Sequence, residues 1–126
     1  RLARNTLEKV IDRVVAAAAK CGAAAPAVPV KDTVKVAAAD GAVLETPDRS
    51  TLRAVQTPQV FEAELLKAAL QSALENNVPV TDDCSAVEQM GKVVYLVEGD
   101  EENMKITTPI DLTVAEAILT EREARA

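Results

Sequence analysis

The sequence contains no histidine and only one tyrosine and one phenylalanine, and these absences exclude several kinds of site. Without an imidazole, the chain cannot form a Ser-His-Asp triad or offer a histidine metal ligand. It has little aromatic surface on which nucleic-acid bases could stack, and a net charge of −6 further disfavours a nucleic-acid partner. No apolar run is long enough to span a membrane. Any chemistry therefore depends on lysine, arginine, carboxylates and hydroxyls.

Glycine and cysteine are also scarce. The four glycines are scattered, so no glycine-rich loop can bring backbone amides against a triphosphate. Cys21 and Cys84 lack CxxC spacing, which favours a reducing compartment and two ordinary small residues over a reactive thiol. The N-terminus has neither a signal-peptide pattern nor an initiator methionine, so we expect the chain to begin partway through a longer protein.

What the sequence does contain is much alanine and valine and an uneven distribution of charge. Its 126 residues are 48% hydrophobic, enough for the core of one domain or of part of one. Residues 82 to 102 account for the whole net charge of −6. Within them, Asp100, Glu101 and Glu102 are consecutive, a pattern more typical of a solvated turn than of a metal site.

Hydrophobic spacing and capping residues predict the helices of the chain. The first predicted helix spans residues 5–20, with an Asn5/Glu8 capping box and an end at Gly22. The second spans about 61–76, with Phe61 on its apolar face and an end at Asn76 and Asn77. A short helix with a Ser85/Glu88 capping box follows the TDDCS segment, and the last helix starts at Thr108 with Pro109 in its first helical position.

Between these helices lie the predicted strands. The APAVPV segment at 25–30 predicts only a brief strand because of its prolines. Two extended runs around Asp40-Gly41 predict a hairpin, whose weak alternation is more typical of an arm than of core. KVVYLVEG at 92–99 predicts a buried parallel strand, and a short strand-like run follows around Lys105. This order of elements predicts an α/β fold with a mostly parallel sheet covered on both faces.

The loops that follow the predicted strands combine threonines with cations, which suits a phosphate ligand. Helix capping alone explains Thr81 and Thr108 equally well. Lys105 is harder to explain structurally, because a lone lysine in an apolar run costs desolvation unless its end reaches water or an anion. By pattern alone, Arg49 at the exit of the hairpin is a surface charge.

Three segments together resemble a known family. DRSTLRAVQTPQVF, VPVTDDCSAVE and VEGDEENMKITTPIDLTVAEAIL, in this order and spacing, resemble the C-terminal half of 2-C-methyl-D-erythritol 4-phosphate cytidylyltransferases, from about residue 28 to about 119. The resemblance implies a Rossmann-like nucleotidyltransferase sheet with helices on both faces and a protruding β-arm at about 31–54. Residues 1–126 would then be the C-terminal portion of a single nucleotidyltransferase domain.

The resemblance also implies an activity and a set of site residues. The family transfers a cytidylyl group from CTP to the sugar-alcohol phosphate and releases pyrophosphate, with Mg2+ on the nucleotide phosphates. Lys105, Thr57 and Thr81 match its substrate-binding positions. Thr33 and Arg49 match arm residues that reach the partner subunit's site in a homodimer, so Lys105 and Arg49 become the catalytic candidates. The expected location is the bacterial cytoplasm, or a plastid for a plant or algal protein.

Two family features are missing from the sequence. It has neither the glycine-rich nucleotide loop nor the Asp-x-x-Arg-Pro segment that supplies a metal carboxylate, so no nucleotide- or metal-binding residue is assigned to this chain. Two alternatives therefore stay open. The acceptor could be ribitol 5-phosphate, as in a related cytidylyltransferase, or this chain alone could be a non-catalytic dimerisation and substrate-binding segment.

Overall fold

A computed structural model describes residues 6–125. The helices are α1 (Thr6–Cys21), α2 (Ala63–Glu75), α3 (Asp83–Gln89) and α4 (Pro109–Arg125). The strands are β1 (Ala23–Pro29), β2 (Val36–Ala37), β3 (Val43–Glu45), β4 (Arg53–Val55), β5 (Val60–Phe61) and β6 (Tyr95–Glu98), and a short 3-10 helix spans Arg49–Thr51. No helix among the described residues is long and apolar enough to cross a membrane.

Strand β1 is the centre of the main sheet, so the prediction of only a brief strand at 25–30 was wrong. It pairs in parallel with β6 on one edge and antiparallel with β4 and β5 on the other. The sheet is therefore mixed, which corrects the prediction of a mostly parallel one. The chain returns from the hairpin directly along β1, and a direct return is antiparallel, whereas β6 follows a helical crossover through α2 and α3.

The sheet tolerates Pro26 in this central strand because the antiparallel ladder is interrupted beside it. On that edge the last paired residues are Ala24, opposite Val60, and Ala27, opposite Val55. The carbonyl of Pro26 accepts a hydrogen bond from the amide of Gln56 at 2.8 Å in the gap. The amide hydrogen that proline lacks would point to the same gap. No hydrogen bond between the strands is therefore lost by its absence.

Alternating residues of β1 face two separate hydrophobic clusters. Ala24 packs with Val10, Val14 and Ala18 of α1. Its neighbour Ala23 packs with Ala69 of α2 and with Ala86 and Val87 of α3. Since successive side chains of a strand point to opposite faces, helices cover both faces of the sheet, as predicted.

The ends of the first and last helices agree with the sequence. Gly22 ends α1 with φ of +88°, and its amide donates to the carbonyl of Ala18 at 2.8 Å. Pro109 is the first residue of α4, and the hydroxyl of Thr108 accepts from the amide of Asp111 at 3.3 Å. Asn5, one half of the predicted capping box of α1, lies outside the described residues.

The starts of the two middle helices differ from the predictions. α2 begins at Ala63, because the side chain of Glu62 caps it and Phe61 belongs to β5. α3 is capped by Asp82 rather than by Ser85, since the Asp82 carboxylate accepts from the amide of Ser85 at 2.8 Å. A carboxylate one turn earlier in the chain thus takes the capping position.

The predicted hairpin is confirmed as a protruding arm. β2 and β3 form a two-stranded sheet of their own around Asp40 and Gly41, and both strands are exposed. Gly41 has φ of +92°, which suits a glycine at this tight turn.

The segment from 92 to 107 is less regular than predicted. β6 is limited to Tyr95–Glu98, and Tyr95 and Leu96 are 50% and 45% exposed, so the prediction of a buried strand was wrong. Within the described chain β6 pairs only with β1 and forms the edge of the sheet, which explains its exposure. No strand forms around Lys105; residues 103–107 are irregular.

Candidate functional site

A pocket of about 300 Å3 opens between the loop that follows β4 and the segment that follows β6. Its lining contains two apolar side chains, uncharged polar groups, one carboxylate and one cation: Val55, Met104, Gln56, Thr57, Gln59, Asn103, Asp82 and Lys105. The structure therefore brings Thr57 and Lys105 together from distant parts of the chain. Thr81 is the neighbour of the lining residue Asp82 in sequence.

One wall of the pocket is built by Gln56. Its side-chain Nε2 donates to the carbonyl of Asp100 at 2.8 Å, and its Oε1 accepts from the amide of Asp100 at 3.3 Å. Asn103 completes this wall: its Nδ2 donates to the Oε1 of Gln56 at 3.3 Å and to the carbonyl of Thr57 at 2.7 Å. The peptide bond between Thr57 and Pro58 is cis.

Gln59, another lining residue, also uses both ends of its side-chain amide. Its Nε2 donates to Oδ2 of Asp82 at 3.1 Å, and its Oε1 accepts from the amide of Cys84 at 3.2 Å. The loop that carries Thr57 is therefore fastened to the start of α3 on this side.

Lys105 is the cation of the pocket. Its side chain is exposed, and within residues 6–125 it makes no ion pair or hydrogen bond. Its ammonium group is thus available to an anion that enters the pocket.

Thr81 does not cap α3, so the capping explanation for it was wrong. Its hydroxyl shares a hydrogen bond of 2.8 Å with the hydroxyl of Ser85, and Asp82 is the cap instead. Because Thr81 is exposed beside the pocket, its hydroxyl remains accessible to a ligand.

Thr33 and Arg49 are not among the residues that line the pocket of their own chain. Both are exposed on the arm segment, and Nη1 of Arg49 donates to the carbonyl of Lys31 at 2.6 Å. A single chain therefore brings together Thr57 and Lys105, with Thr81 adjacent, and leaves the two arm residues elsewhere.

The acidic turn before Asn103 is held by hydrogen bonds and ion pairs. Glu101 pairs with Lys31 at 2.8 Å, and both side chains are exposed, in agreement with the expected solvated turn. Glu102 is less exposed than expected, at 30%, because it pairs with Arg122 of α4 at 2.8 Å and lies 3.7 Å from Arg125. Within residues 6–125, no group of three cysteine or carboxylate side chains is arranged to hold a metal ion.

Two ionisable groups beside the pocket have shifted pKa values. Partial burial alone would raise the pKa of Asp82, but hydrogen bonds from Ser85 and Gln59 outweigh it and hold the pKa below its ordinary value. Burial, together with the charges of Asp82, Glu88 and Asp83, raises the pKa of the Cys84 thiol to about 12. Cys84 is therefore a neutral thiol at neutral pH and not a nucleophile, as expected for a small core residue.

The sequence interpretation missed four polar residues of the pocket, namely Gln56, Gln59, Asp82 and Asn103. A signal for three of them was present in the motifs. The two glutamines flank Thr57-Pro58 in QTPQ, and Asn103 precedes Lys105 by two residues. Uncharged side-chain amides are a weaker sequence signal for a phosphate site than cations are. At these positions the amides are close enough to Thr57 and Lys105 to orient them.

Residues 2–121 match the family model of 2-C-methyl-D-erythritol 4-phosphate cytidylyltransferase. The chain belongs to this family. Among curated members, it is 50% identical over 117 residues to the enzyme of that name from Synechococcus elongatus, covering 93% of this chain and 50% of the relative. It is 54% identical over 112 residues to the enzyme of that name from Caldanaerobacter subterraneus, covering 89% of this chain and 49% of the relative.

Solved structures of the family share the fold. The cytidylyltransferase from Thermus thermophilus superposes with a TM-score of 0.77 at 38% identity, over 87% of this chain and 54% of that one. The 4-diphosphocytidyl-2C-methyl-D-erythritol synthase from Anaerococcus prevotii superposes with a TM-score of 0.83 at 35% identity, over 90% and 51%. The nucleotidyltransferase fold is thereby confirmed.

The chain spans about half the length of the relatives that it matches. Its assignment to the C-terminal portion of a single domain stays a prediction from the motifs, as do the roles of the individual site residues.

Proposed function

We propose that the full protein containing this chain transfers a cytidylyl group from CTP to 2-C-methyl-D-erythritol 4-phosphate and releases pyrophosphate. The observation that carries this proposal is the pocket that joins Thr57 of the QTPQ motif to Lys105 of the N-x-K motif. Both motifs belong to the resemblance with the family, and the geometry unites them in one polar cavity with an unpaired cation among the described residues.

In this proposal the pocket is the acceptor-phosphate side of the active site. The ammonium group of Lys105 neutralises the phosphate of the sugar alcohol, and the hydroxyls of Thr57 and Thr81 donate hydrogen bonds to it. A pocket of about 300 Å3 is of the size that holds a small phosphorylated ligand.

The reaction needs positioning more than covalent catalysis by the protein. An oxygen of the acceptor phosphate forms a bond to the α-phosphorus of CTP, and the bond from that phosphorus to the departing pyrophosphate breaks in line with it. Negative charge spreads over the phosphate oxygens during this exchange. A cation beside the acceptor lowers the energy of the transition state. No proton acceptor is required, because the acceptor phosphate is already an anion.

We also propose Mg2+ as the cofactor, entering on the phosphates of CTP. Among residues 6–125, no group of three carboxylate or cysteine side chains is arranged to hold a metal ion. Charge neutralisation on the nucleotide is the chemistry that the ion supplies when bound.

The partner of the proposal is a second copy of the chain. In a homodimer with exchanged arms, Thr33 and Arg49 would contact the acceptor phosphate in the partner subunit's pocket. Two observations support this arrangement: the arm is exposed, and its two candidate ligands lie outside their own chain's pocket. We expect neither a nucleic-acid nor a membrane partner, and we propose a cytoplasmic location, or a plastid one for a plant or algal source.

Pyrophosphate release tests the choice of acceptor. The full-length protein is supplied with CTP, Mg2+ and either 2-C-methyl-D-erythritol 4-phosphate or ribitol 5-phosphate. We expect efficient release with the first acceptor only. Release with ribitol 5-phosphate alone would overturn the proposal in favour of the related enzyme, although no relative described above carries that name.

A second candidate concerns the 126-residue chain by itself. Its glycines are scattered, and for this reason we test whether the chain alone is a non-catalytic dimerisation and substrate-binding segment. We expect no Mg2+-dependent binding of CTP to this chain in calorimetry. A clear binding isotherm would show that the nucleotide site is contained in it.

A further inference from the structure

We propose that Gln56 and Gln59 are positioning residues that hold Thr57 between the turn leading to Lys105 and the start of α3. The proposal rests on the function proposed above and extends it to residues that only organise the pocket. We call this arrangement the glutamine clamp, meaning the side chains of Gln56 and Gln59 together with Asn103.

The first half of the clamp joins the Thr57 loop to the Lys105 segment. Gln56 uses both ends of its amide: Nε2 donates to the Asp100 carbonyl at 2.8 Å, and Oε1 accepts from the Asp100 amide at 3.3 Å. Asn103 links the same loop through Oε1 of Gln56 and through the carbonyl of Thr57 at 2.7 Å. Since Lys105 follows Asn103 by two residues, these bonds limit where its backbone can lie.

Gly99 permits this close approach. Its amide donates to the carbonyl of Ala27 at 2.9 Å, which fastens the turn to the central strand. A Cβ added at this position would overlap Oε1 of Gln56 and would lie 3.1 Å from the carbonyl oxygen of Ala27. Any side chain at this position would displace the amide of Gln56 from its hydrogen bonds, so glycine suits the point where the clamp meets β1.

The second half of the clamp joins the Thr57 loop to α3. Nε2 of Gln59 donates to Asp82 at 3.1 Å, and its Oε1 accepts from the amide of Cys84 at 3.2 Å. The other oxygen of Asp82 accepts from the amide of Ser85 at 2.8 Å, and the Ser85 hydroxyl bonds Thr81. The position of Thr81 is thereby coupled to that of Thr57.

The chemistry of the contacts explains why amides are needed at both positions. Each glutamine donates with one atom and accepts with the other toward a fixed pair of backbone or carboxylate groups. A glutamate keeps the acceptor but loses the donor, and a methionine of similar length loses both. The segments 56–59 and 103–107 lie largely outside helices and strands, so these hydrogen bonds are what orients their ligands.

Substitutions in the full-length protein test the clamp. We expect Gln56→Met and Gln59→Met to lower kcat/KM for the acceptor phosphate by about 10- to 100-fold, because a misplacement of about 1 Å in a binding site has costs of this size. KM for CTP stays unchanged. Gln56→Glu is expected to be at least as impaired as Gln56→Met, because its carboxylate oxygen faces the Asp100 carbonyl where the amide donated. The matched control is Gln71→Met on α2, where the exposed glutamine donates to Glu75 of the same helix and no effect is expected.

A second measurement separates positioning from general stabilisation. Hydrogen exchange of the Asp100 amide in Gln56→Met, and of the Cys84 amide in Gln59→Met, is expected to accelerate locally, with core amides of β1 unchanged. If both variants melt at a lower temperature while kcat/KM for the acceptor stays at the wild-type value, the glutamines only stabilise the fold and the proposal is overturned.

The two proposals fail in different ways. A wild-type protein that releases no pyrophosphate with 2-C-methyl-D-erythritol 4-phosphate refutes the proposed function, whereas accelerated exchange at Asp100 and Cys84 would still support the clamp. Unchanged exchange and unchanged acceptor kinetics in both methionine variants, with an active wild type, refute the clamp alone.

Discussion

At the residue scale, the role proposed for Lys105 is supported by the surroundings of its ammonium group. It lines a polar pocket, it is exposed, and no anionic partner holds it within the described chain. We expect Lys105→Ala in the full protein to lower kcat/KM for the acceptor on the order of 100-fold, the usual effect of losing one group that stabilises developing charge. The melting temperature is expected to stay the same. Both are measured by pyrophosphate release and thermal denaturation.

Lys67→Ala is the matched control for this prediction. Lys67 is similarly exposed on α2 and pairs with Glu64 at 3.5 Å, a surface ion pair that contributes at most about 1 kcal/mol. We expect neither its kinetics nor its melting temperature to change. Unchanged activity of Lys105→Ala together with a lower melting temperature would identify Lys105 as a structural residue.

The sequence identified the cation and hydroxyls of the pocket better than its amides. Lys105 could be identified from the sequence because a lysine within an apolar run is unusual without a polar partner. Gln56 and Asn103 are not unusual in the sequence, because their partners are 44 to 47 positions away and meet them only in the folded chain. For the same reason the sequence left capping open as an explanation of Thr81: only the structure shows that the carboxylate of Asp82 accepts from the amide of Ser85.

At the scale of elements, the start of α4 shows how one carboxylate holds a helix beside the pocket. Oδ2 of Asp111 accepts from the amide and the hydroxyl of Thr107, both at 3.1 Å, and from the amide of Thr108 at 3.0 Å. These bonds, first of all the one from the Thr107 amide, hold the pKa of Asp111 below its ordinary value of 3.8. The helix that follows Lys105 is therefore stabilised by an ionised side chain.

This arrangement predicts a pH-dependent effect of Asp111→Asn. A carboxylate whose pKa is lowered by folding stabilises the protein fully above its unfolded pKa, and the effect is lost as the pH falls through the folded value. We expect the variant of the full protein to melt a few degrees below wild type at pH 7, and the difference to shrink below about pH 4. Thermal denaturation across this range measures it.

Glu116→Gln provides the control, because Glu116 is exposed on the same helix and its side chain does not cap the N-terminus. Its melting temperature is expected to follow that of wild type at each pH. A difference for Asp111→Asn that persists undiminished at pH 3 would mean that the cap acts through packing and not through its charge.

Element types were more predictable than their pairing. Strong periodicity and the terminating Gly22 predicted α1, whereas α4 could be predicted mainly from its capping segment at Thr108 and Pro109. Pairing depends on partners that are distant in sequence. The prolines suggested a brief strand at 25–30, yet Pro26 is buried at the centre of the sheet because its missing amide hydrogen falls where the ladder is interrupted.

At the scale of the whole molecule, the candidate substrate ligands fall into two sets, one in the pocket and one on the arm. Lys105 lines the pocket of its own chain, while Arg49 on the arm segment bonds the carbonyl of Lys31 and lies outside that lining. No sequence pattern could decide whether an arm returns to its own site or reaches a partner's, since both use the same residues. In the proposed homodimer with exchanged arms, Lys105 and Arg49 at each site would belong to different subunits.

Mixed dimers test this arrangement. If Arg49 acts in the partner's site, a heterodimer of Arg49→Ala and Lys105→Ala subunits has one site with both groups intact, whereas neither homodimer has such a site. Random mixing makes half of the dimers heterodimers, so we expect about a quarter of the wild-type activity. A mixture of Arg49→Ala with Thr33→Ala is the control: both changes lie on the arm, so neither site recovers. If the first mixture is as inactive as this control, Arg49 serves its own subunit, and the arms are not exchanged in the way proposed.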